Sequence, residues 1–163
     1  PENVSRVGLF VDPTDDLINA VLALSSLDLV QLHGSETPAR VTEIKQLTNL
    51  SIMKVIKLAG PEDLASAAAY YDVADRLLFD AKAPADMKNA LPGGNALAFD
   101  WELLRDADIP LPWMLAGGLD AENLAEAVSI SGASELDVSS GVESAPGIKD
   151  LKLIKDFLSA AKG

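Results

Sequence analysis

Short apolar runs recur along the chain as VGLFV (7–11), LVQL (29–32), MKVIKL (53–58), RLLF (76–79), WMLA (113–116) and ELDV (135–138). Each is too short for a helix and ends in polar or turn-forming residues, the pattern of a strand buried on both faces. Between them, apolar residues recur at helical spacing: Leu17, Val21 and Leu24; Val41, Ile44 and Leu47; Leu64, Ala67 and Ala68; Leu124, Ala127 and Val128; Leu151, Ile154 and Leu158. Each set puts an apolar stripe on one side of a helix. Carboxylates suited to the positive end of a helix mark the starts: Asp15 and Asp16 after Pro13, Glu62 and Asp63 after Pro61, Asp100 before Trp101, and Asp120 with Glu122. The pattern predicts six consecutive βα units.

Their strand starts, at 7, 29, 53, 76, 113 and 135, recur about every 23 residues apart from one longer interval after the fourth. That interval holds KAPADMKNALPGGNALA (82–98), the one long loop, of the length that binding loops and lids have. Unbroken βα alternation implies a parallel sheet, either doubly wound or closed into a TIM-type (βα)8 barrel. A doubly wound nucleotide binder carries its glycine-rich turn after the first strand, where this chain has the acidic FVDPTDD. Its glycines follow the last two strands instead, as AGGL (116–119) and SSGVE (139–143), where barrels hold phosphate. The expected fold is therefore an α/β barrel as a single domain over 1–163, with six of the eight units that a closed barrel requires.

Composition narrows the chemistry. With 13 basic and 25 acidic residues the net charge is −12, which disfavours nucleic acid and anionic membrane surfaces as partners. No apolar run is long enough to span a bilayer, and PENVSRVGLFVD is not a signal peptide, so a cytoplasmic location is expected. The absence of cysteine excludes disulfides, thiolate metal sites and thiol nucleophiles from these residues. With a single histidine and no cysteine, a zinc site is not expected.

In a barrel the C-terminal ends of the strands face the active site, which gathers Asp12, His33, Lys57, Asp80, Gly117, Gly118, Asp137, Ser139 and Ser140. Asp80 closes RLLFD, where apolar neighbours would keep a carboxyl desolvated enough to act as a general acid; a turn or capping role is the alternative. His33 ends LVQLH ahead of Gly34 and reads either as a substrate-facing imidazole or as a structural one. Lys57 and Lys82 suit a Schiff-base aldolase, or simply counter the charge of a substrate or carboxylate. Gly117 and Gly118, with Ser139, Ser140 and Gly141, offer backbone amides that can bind phosphate without a basic side chain. Trp101 and Trp113 read as core residues, and Asp15, Asp16, Asp106 and Asp108 as solvated charge.

Taken together, VGLFVDP (7–13), VQLHGSE (30–36), LLFDAK (77–82), PGGNALAFDW (92–101), LAGGLDAENL (115–124) and DVSSGVESAPGIKD (137–150) resemble the phosphoribosylanthranilate isomerase family, in its order and spacing. The resemblance implies an Amadori rearrangement in tryptophan biosynthesis, without cofactor or metal, in which an aminoaldose phosphate becomes an aminoketose phosphate. It assigns Asp80 as the general acid that opens the ribose ring, Asp137 as the carboxylate near the ribose hydroxyls, and His33 as substrate-facing. Gly117, Gly118, Ser139, Ser140 and Gly141 become the phosphate loops, and Gly93 and Gly94 part of an active-site loop in which Ala96 stands where the family usually has glycine. The family also carries two earlier βα units, one ending in a Lys-Ile-Cys-Gly motif with the cysteine base and one followed by a Ser-Pro-Arg loop that holds the substrate carboxylate. Neither motif occurs in these 163 residues, so the expectation is that they match strands three to eight. The rival expectations are a Schiff-base aldolase using Lys57 and a barrel fragment that binds phosphate without turnover. An open six-strand arc would also favour a homo-oligomer through its free edges.

Overall fold

The computed structural model describes residues 3–83 and 98–162. Five parallel strands form one sheet: β1 (Val7–Phe10), β2 (Leu29–Leu32), β3 (Ser51–Leu58), β4 (Arg76–Ala81) and β5 (Trp113–Leu115), in the order β1-β2-β3-β4-β5. Every strand pairs with its neighbour in sequence, whereas a doubly wound sheet would reverse direction partway. All five coincide with predicted runs to within two residues at either end.

The sixth run, ELDV, differs from the expectation of a full βα unit. It contributes one parallel bridge, Leu115 to Leu136, carried by Leu115 N donating to Glu135 O (2.9 Å) and Asp137 N donating to Leu115 O (2.8 Å). The ladder stops there because β5 has three residues and runs into Gly117 and Gly118, both at positive φ. A glycine pair in that conformation turns the chain out of the sheet. Among the described residues the sheet thus has five strands, and the sixth run is joined to it by a single bridge.

Helices follow the strands as α1 (Asp15–Leu24), α2 (Pro38–Thr48), α3 (Pro61–Ser66), α4 (Leu124–Ser131) and α5 (Leu151–Ala160). Caps explain their starts. The Thr14 hydroxyl accepts from Leu17 N, that of Thr37 from Arg40 N, and Asp150 from Lys152 N and Leu153 N. Asp63 instead reaches back to accept from Ala59 N and Gly60 N. Two predicted helices are altered. Asp100 caps only a 3-10 turn over Trp101–Leu104, because Asp106 takes a left-handed φ of 58° and Pro110 lies just beyond. Asp120 accepts from Glu122 N and Asn123 N in a turn of its own, so that regular helix begins at Leu124.

Strand alternation divides the sheet into two faces. Val30, Leu32, Ile52, Ile56, Leu77, Phe79 and Leu115 face the helices and are almost wholly buried. They form two cores, one with Ile18, Val41 and Ile44 and one with Leu104, Leu124, Ala127 and Phe157. Trp113 meets Phe79 edge to face at 5.6 Å, and both tryptophans pack on the second core, as expected. The opposite face holds Leu29, Met53, Val55, Leu78, Met114 and Ala116 in an apolar layer. On this face Leu9 of the edge strand β1 is 56% exposed.

Candidate active site

The same inner face carries Gln31, His33, Lys57 and Asp80 at the C-terminal ends of β2, β3 and β4, one layer above Met53, Val55 and Leu78. Lys57 and Asp80 are register partners, so alternation sends both side chains to one side. Asp80 and His33 are 6% and 5% exposed, and His33 Nε2 lies 3.1 Å from Asp80 Oδ2. The other carboxylate oxygen accepts from Ala81 N at 2.8 Å, which fixes its plane. On the far side of the imidazole, Gln31 Nε2 stands 3.4 Å from Nδ1. The Asp80–His33 contact thus joins two groups whose chemistry suits proton transfer to or from a ligand. Among the described residues no group of three or more His, Asp or Glu is placed to hold a metal ion.

Asp80 is hemmed in by Gly117. At φ 87°, with a hypothetical Cβ only 2.7 Å from Ala81 N and 3.2 Å from Asp80 Oδ1, position 117 admits no side chain. The loop after β5 can thus lie directly on the Asp80 carboxyl. Gly141 makes the second close approach, where a Cβ would stand 1.9 Å from Leu119 O. The Gly117–Gly118 loop and the Ser139–Gly141 loop, paired only by position in the sequence, are consequently in backbone contact. Ser140–Val142 forms a 3-10 turn there, and Lys149 of a following hairpin (β6, Glu143–Ala145; β7, Ile148–Lys149) ties it down. Its Nζ donates to Ser139 O (2.7 Å), Ser139 Oγ (3.1 Å) and Glu143 Oε1 (2.7 Å).

Asp137 joins the two halves of the site. Burial raises its pKa above the usual carboxylate range, and the charge of Asp80 raises it further against the opposing pull of His33 and Lys149. The native carboxyl therefore holds its proton more tightly than the unfolded one. Stability from this group is complete below the unfolded pKa and is lost as pH rises through the elevated native value, so towards neutral pH the buried carboxyl is a liability. Asp137→Asn is expected to raise Tm at pH ~7 and leave it unchanged at pH ~3. Thermal melts at the two pH values check this, and an equal shift at both would contradict it.

Behind β2 lies a cluster that the sequence reading passed over. Lys54, in β3 on the helix-facing side, is 2% exposed and pairs at 2.8 Å with Glu36, itself 3% exposed. Glu36 also accepts from Asp12 N (2.8 Å) and Gly34 N (3.1 Å), and Asp12 Oδ1 accepts from Ser35 N (2.7 Å). Burial pushes the Glu36 carboxyl up, yet the Lys54 ammonium and the backbone amides hold it below its ordinary value. The signal was present: Lys54 is a charge at an outward position of a strand whose other outward positions are apolar. Asp12 belongs to this cluster and Lys82 pairs with Asp63 at 2.6 Å. Gly93 and Gly94 lie outside the described residues.

Residues 1–160 match the family model described as N-(5'phosphoribosyl)anthranilate (PRA) isomerase. The chain is 57% identical to the N-(5'-phosphoribosyl)anthranilate isomerase of Paramagnetospirillum magneticum, over 100% of its own length and 75% of that protein's. With the enzyme of the same name from Paracoccus denitrificans it shares 54% identity, over 99% and 74%. Among solved structures, phosphoribosyl anthranilate isomerase from Thermotoga maritima superposes with a TM-score of 0.84 at 34% identity, covering 100% of this chain and 75% of that one. A phosphoribosyl anthranilate isomerase in complex with reduced 1-(o-carboxyphenylamino)-1-deoxyribulose 5-phosphate superposes at 0.81 with 31% identity, covering 100% and 74%.

Proposed function

The chain belongs to the N-(5'-phosphoribosyl)anthranilate isomerase family, and on that premise we propose that Asp80 is the general acid of its aldose-to-ketose rearrangement. The Asp80–His33 contact at 3.1 Å, buried at the strand ends, is the observation that carries this reading. In the reaction, Asp80 gives its proton to the furanose ring oxygen of N-(5'-phosphoribosyl)anthranilate, the bond from carbon 1 to that oxygen breaks, and an imine forms to the anthranilate nitrogen. A base then takes the proton from carbon 2, and the resulting enolamine rearranges to the aminoketose. His33 steadies the Asp80 carboxyl, and Asp137 faces the ribose hydroxyls. The amides of Gly117, Gly118, Ser139, Ser140 and Gly141 receive the phosphate, a mode of anion binding that suits a chain of net charge −12.

In this reading residues 1–163 are one barrel domain matching strands three to eight of an eight-stranded barrel. The family's cysteine base and the arginine for the anthranilate carboxylate belong to motifs outside these residues. Two measurements test the proposal. The 163-residue chain should bind reduced 1-(o-carboxyphenylamino)-1-deoxyribulose 5-phosphate, competitively with inorganic phosphate. Joined to the first two βα units of the Paramagnetospirillum enzyme, it should convert N-(5'-phosphoribosyl)anthranilate to the ketose. Binding without conversion in the joined form would refute the catalytic assignment, and trapping of a carbonyl substrate on Lys57 by borohydride would favour an aldolase instead.

A further inference from the structure

From the cluster behind β2 we infer that Lys54 is a positioning residue for the acid: its ammonium, buried on the opposite face of the sheet, sets the place of His33 and through it the geometry of Asp80. The Lys54 Nζ donates to Leu32 O (3.3 Å), Gly34 O (2.8 Å) and Glu36 Oε2 (2.8 Å). An ammonium has three N–H donors, and all three are used. The first two acceptors are the carbonyls immediately before and after His33, so the ammonium grips the backbone on both sides of the imidazole from behind. His33 N, in turn, donates to Phe10 O at 2.8 Å, which anchors the same residue to β1.

Glu36 completes the clamp. Its carboxylate gathers Gly34 N and Asp12 N, joining the loop after β2 to the loop after β1. The close fit is enforced at Gly34, where a Cβ would stand 2.6 Å from Asp12 N. Tyr70 closes the cluster, with its hydroxyl donating to Glu36 O at 3.0 Å and Lys54 Nζ 5.7 Å from its ring centre. A buried ion pair of this kind adds little to stability over a well-packed apolar pair of similar volume, so conformational definition is the better account of its presence. Four neighbouring strand or loop segments have their relative positions fixed by this one pair.

His33 is the only histidine of the chain, so its imidazole gives an unambiguous NMR signal. Removing Lys54 alone would strand a buried carboxylate and unfold the chain, so the test removes both charges in Lys54→Met with Glu36→Gln, where the glutamine oxygen still accepts from the amides. The folded double variant should lose the exchange-protected, downfield Nε2–H signal of the Asp80–His33 bond. In the joined form its kcat should fall about 10- to 100-fold with KM little changed, the signature of a displaced catalytic group. Unchanged imidazole signals in the folded double variant would overturn the inference. Two checks apply if that variant does not fold. In the parent, the Lys54 ammonium protons must exchange far more slowly than those of surface lysines. Lys54→Cys, aminoethylated while unfolded and then refolded, must restore the His33 signal; failure of either overturns the clamp. The inference rests on the isomerase reading only for its kinetic effect: a joined form without turnover but with the NMR behaviour described would refute that reading and leave the clamp standing.

Discussion

Asp80→Asn should lower kcat for N-(5'-phosphoribosyl)anthranilate by about 10²- to 10⁴-fold, the range in which a positioned acid contributes to a proton transfer. Asparagine retains the shape of the carboxyl, and its oxygen can still accept from Ala81 N, so the turn after β4 keeps its main tie. The amide cannot supply an acidic proton to the ring oxygen. The variant is therefore expected to melt within a few degrees of the parent and to bind the reduced product analogue with similar affinity while turnover collapses. Steady-state kinetics in the joined form, with an analogue titration beside it, separates the outcomes. Near-parent kcat would remove Asp80 from the acid role. Parallel losses in binding and rate would show that it holds the site together instead.

Gly141→Ala should weaken the proposed phosphate site, the next largest effect after Asp80→Asn. The new methyl would have to share space with Leu119 O, which lies only 1.9 Å from the Cβ position, so the two loops must part. Each amide that turns away loses a charge-assisted hydrogen bond to the phosphate. Affinity for the reduced product analogue is expected to fall about 10- to 100-fold, equivalent to about 1.4–2.8 kcal/mol. Ser140→Ala is the informative companion, because it removes a hydroxyl and leaves every amide in place. If the backbone does the binding, that variant should be nearly neutral in the same calorimetric titration. A large loss for Ser140→Ala with tolerance of Gly141→Ala would reassign the phosphate contacts to side chains.

Continuous apolar runs were enough to locate β1 to β5, because a parallel sheet covered on one face by helices and filled on the other needs unbroken Val, Ile and Leu. What they could not locate were the points where one turn overrides the periodicity. ELDV has the composition of a strand, but its partner β5 ends after three residues at the Gly117 turn, and the pairing dies with it. Asp100 has the chemistry of a helix start, but Asp106 and Pro110 end the helix within a turn. The hairpin from Glu143 to Lys149 was unforeseen, since its strands are too short to show alternation. In the site, Asp80, His33 and the two glycine loops were visible as strand-end residues. The contacts among them were not, because a Cβ clash at Gly117 or Gly141 exists only once distant segments meet. Lys54 was hidden for a related reason: it sits inside an apolar run and acts through backbone atoms.

The neighbour-to-neighbour strand order has a consequence for how the chain acquires its shape. Each of β2 to β5 finds its partner in the strand made just before it, usually about 23 residues earlier. A chain emerging from the ribosome already holds the template for the next strand, and assembly can keep pace with synthesis in one direction. The only long wait falls between β4 and β5. Until Trp113 arrives to meet Phe79, the growing edge of the sheet is β4 itself, the strand that carries Asp80.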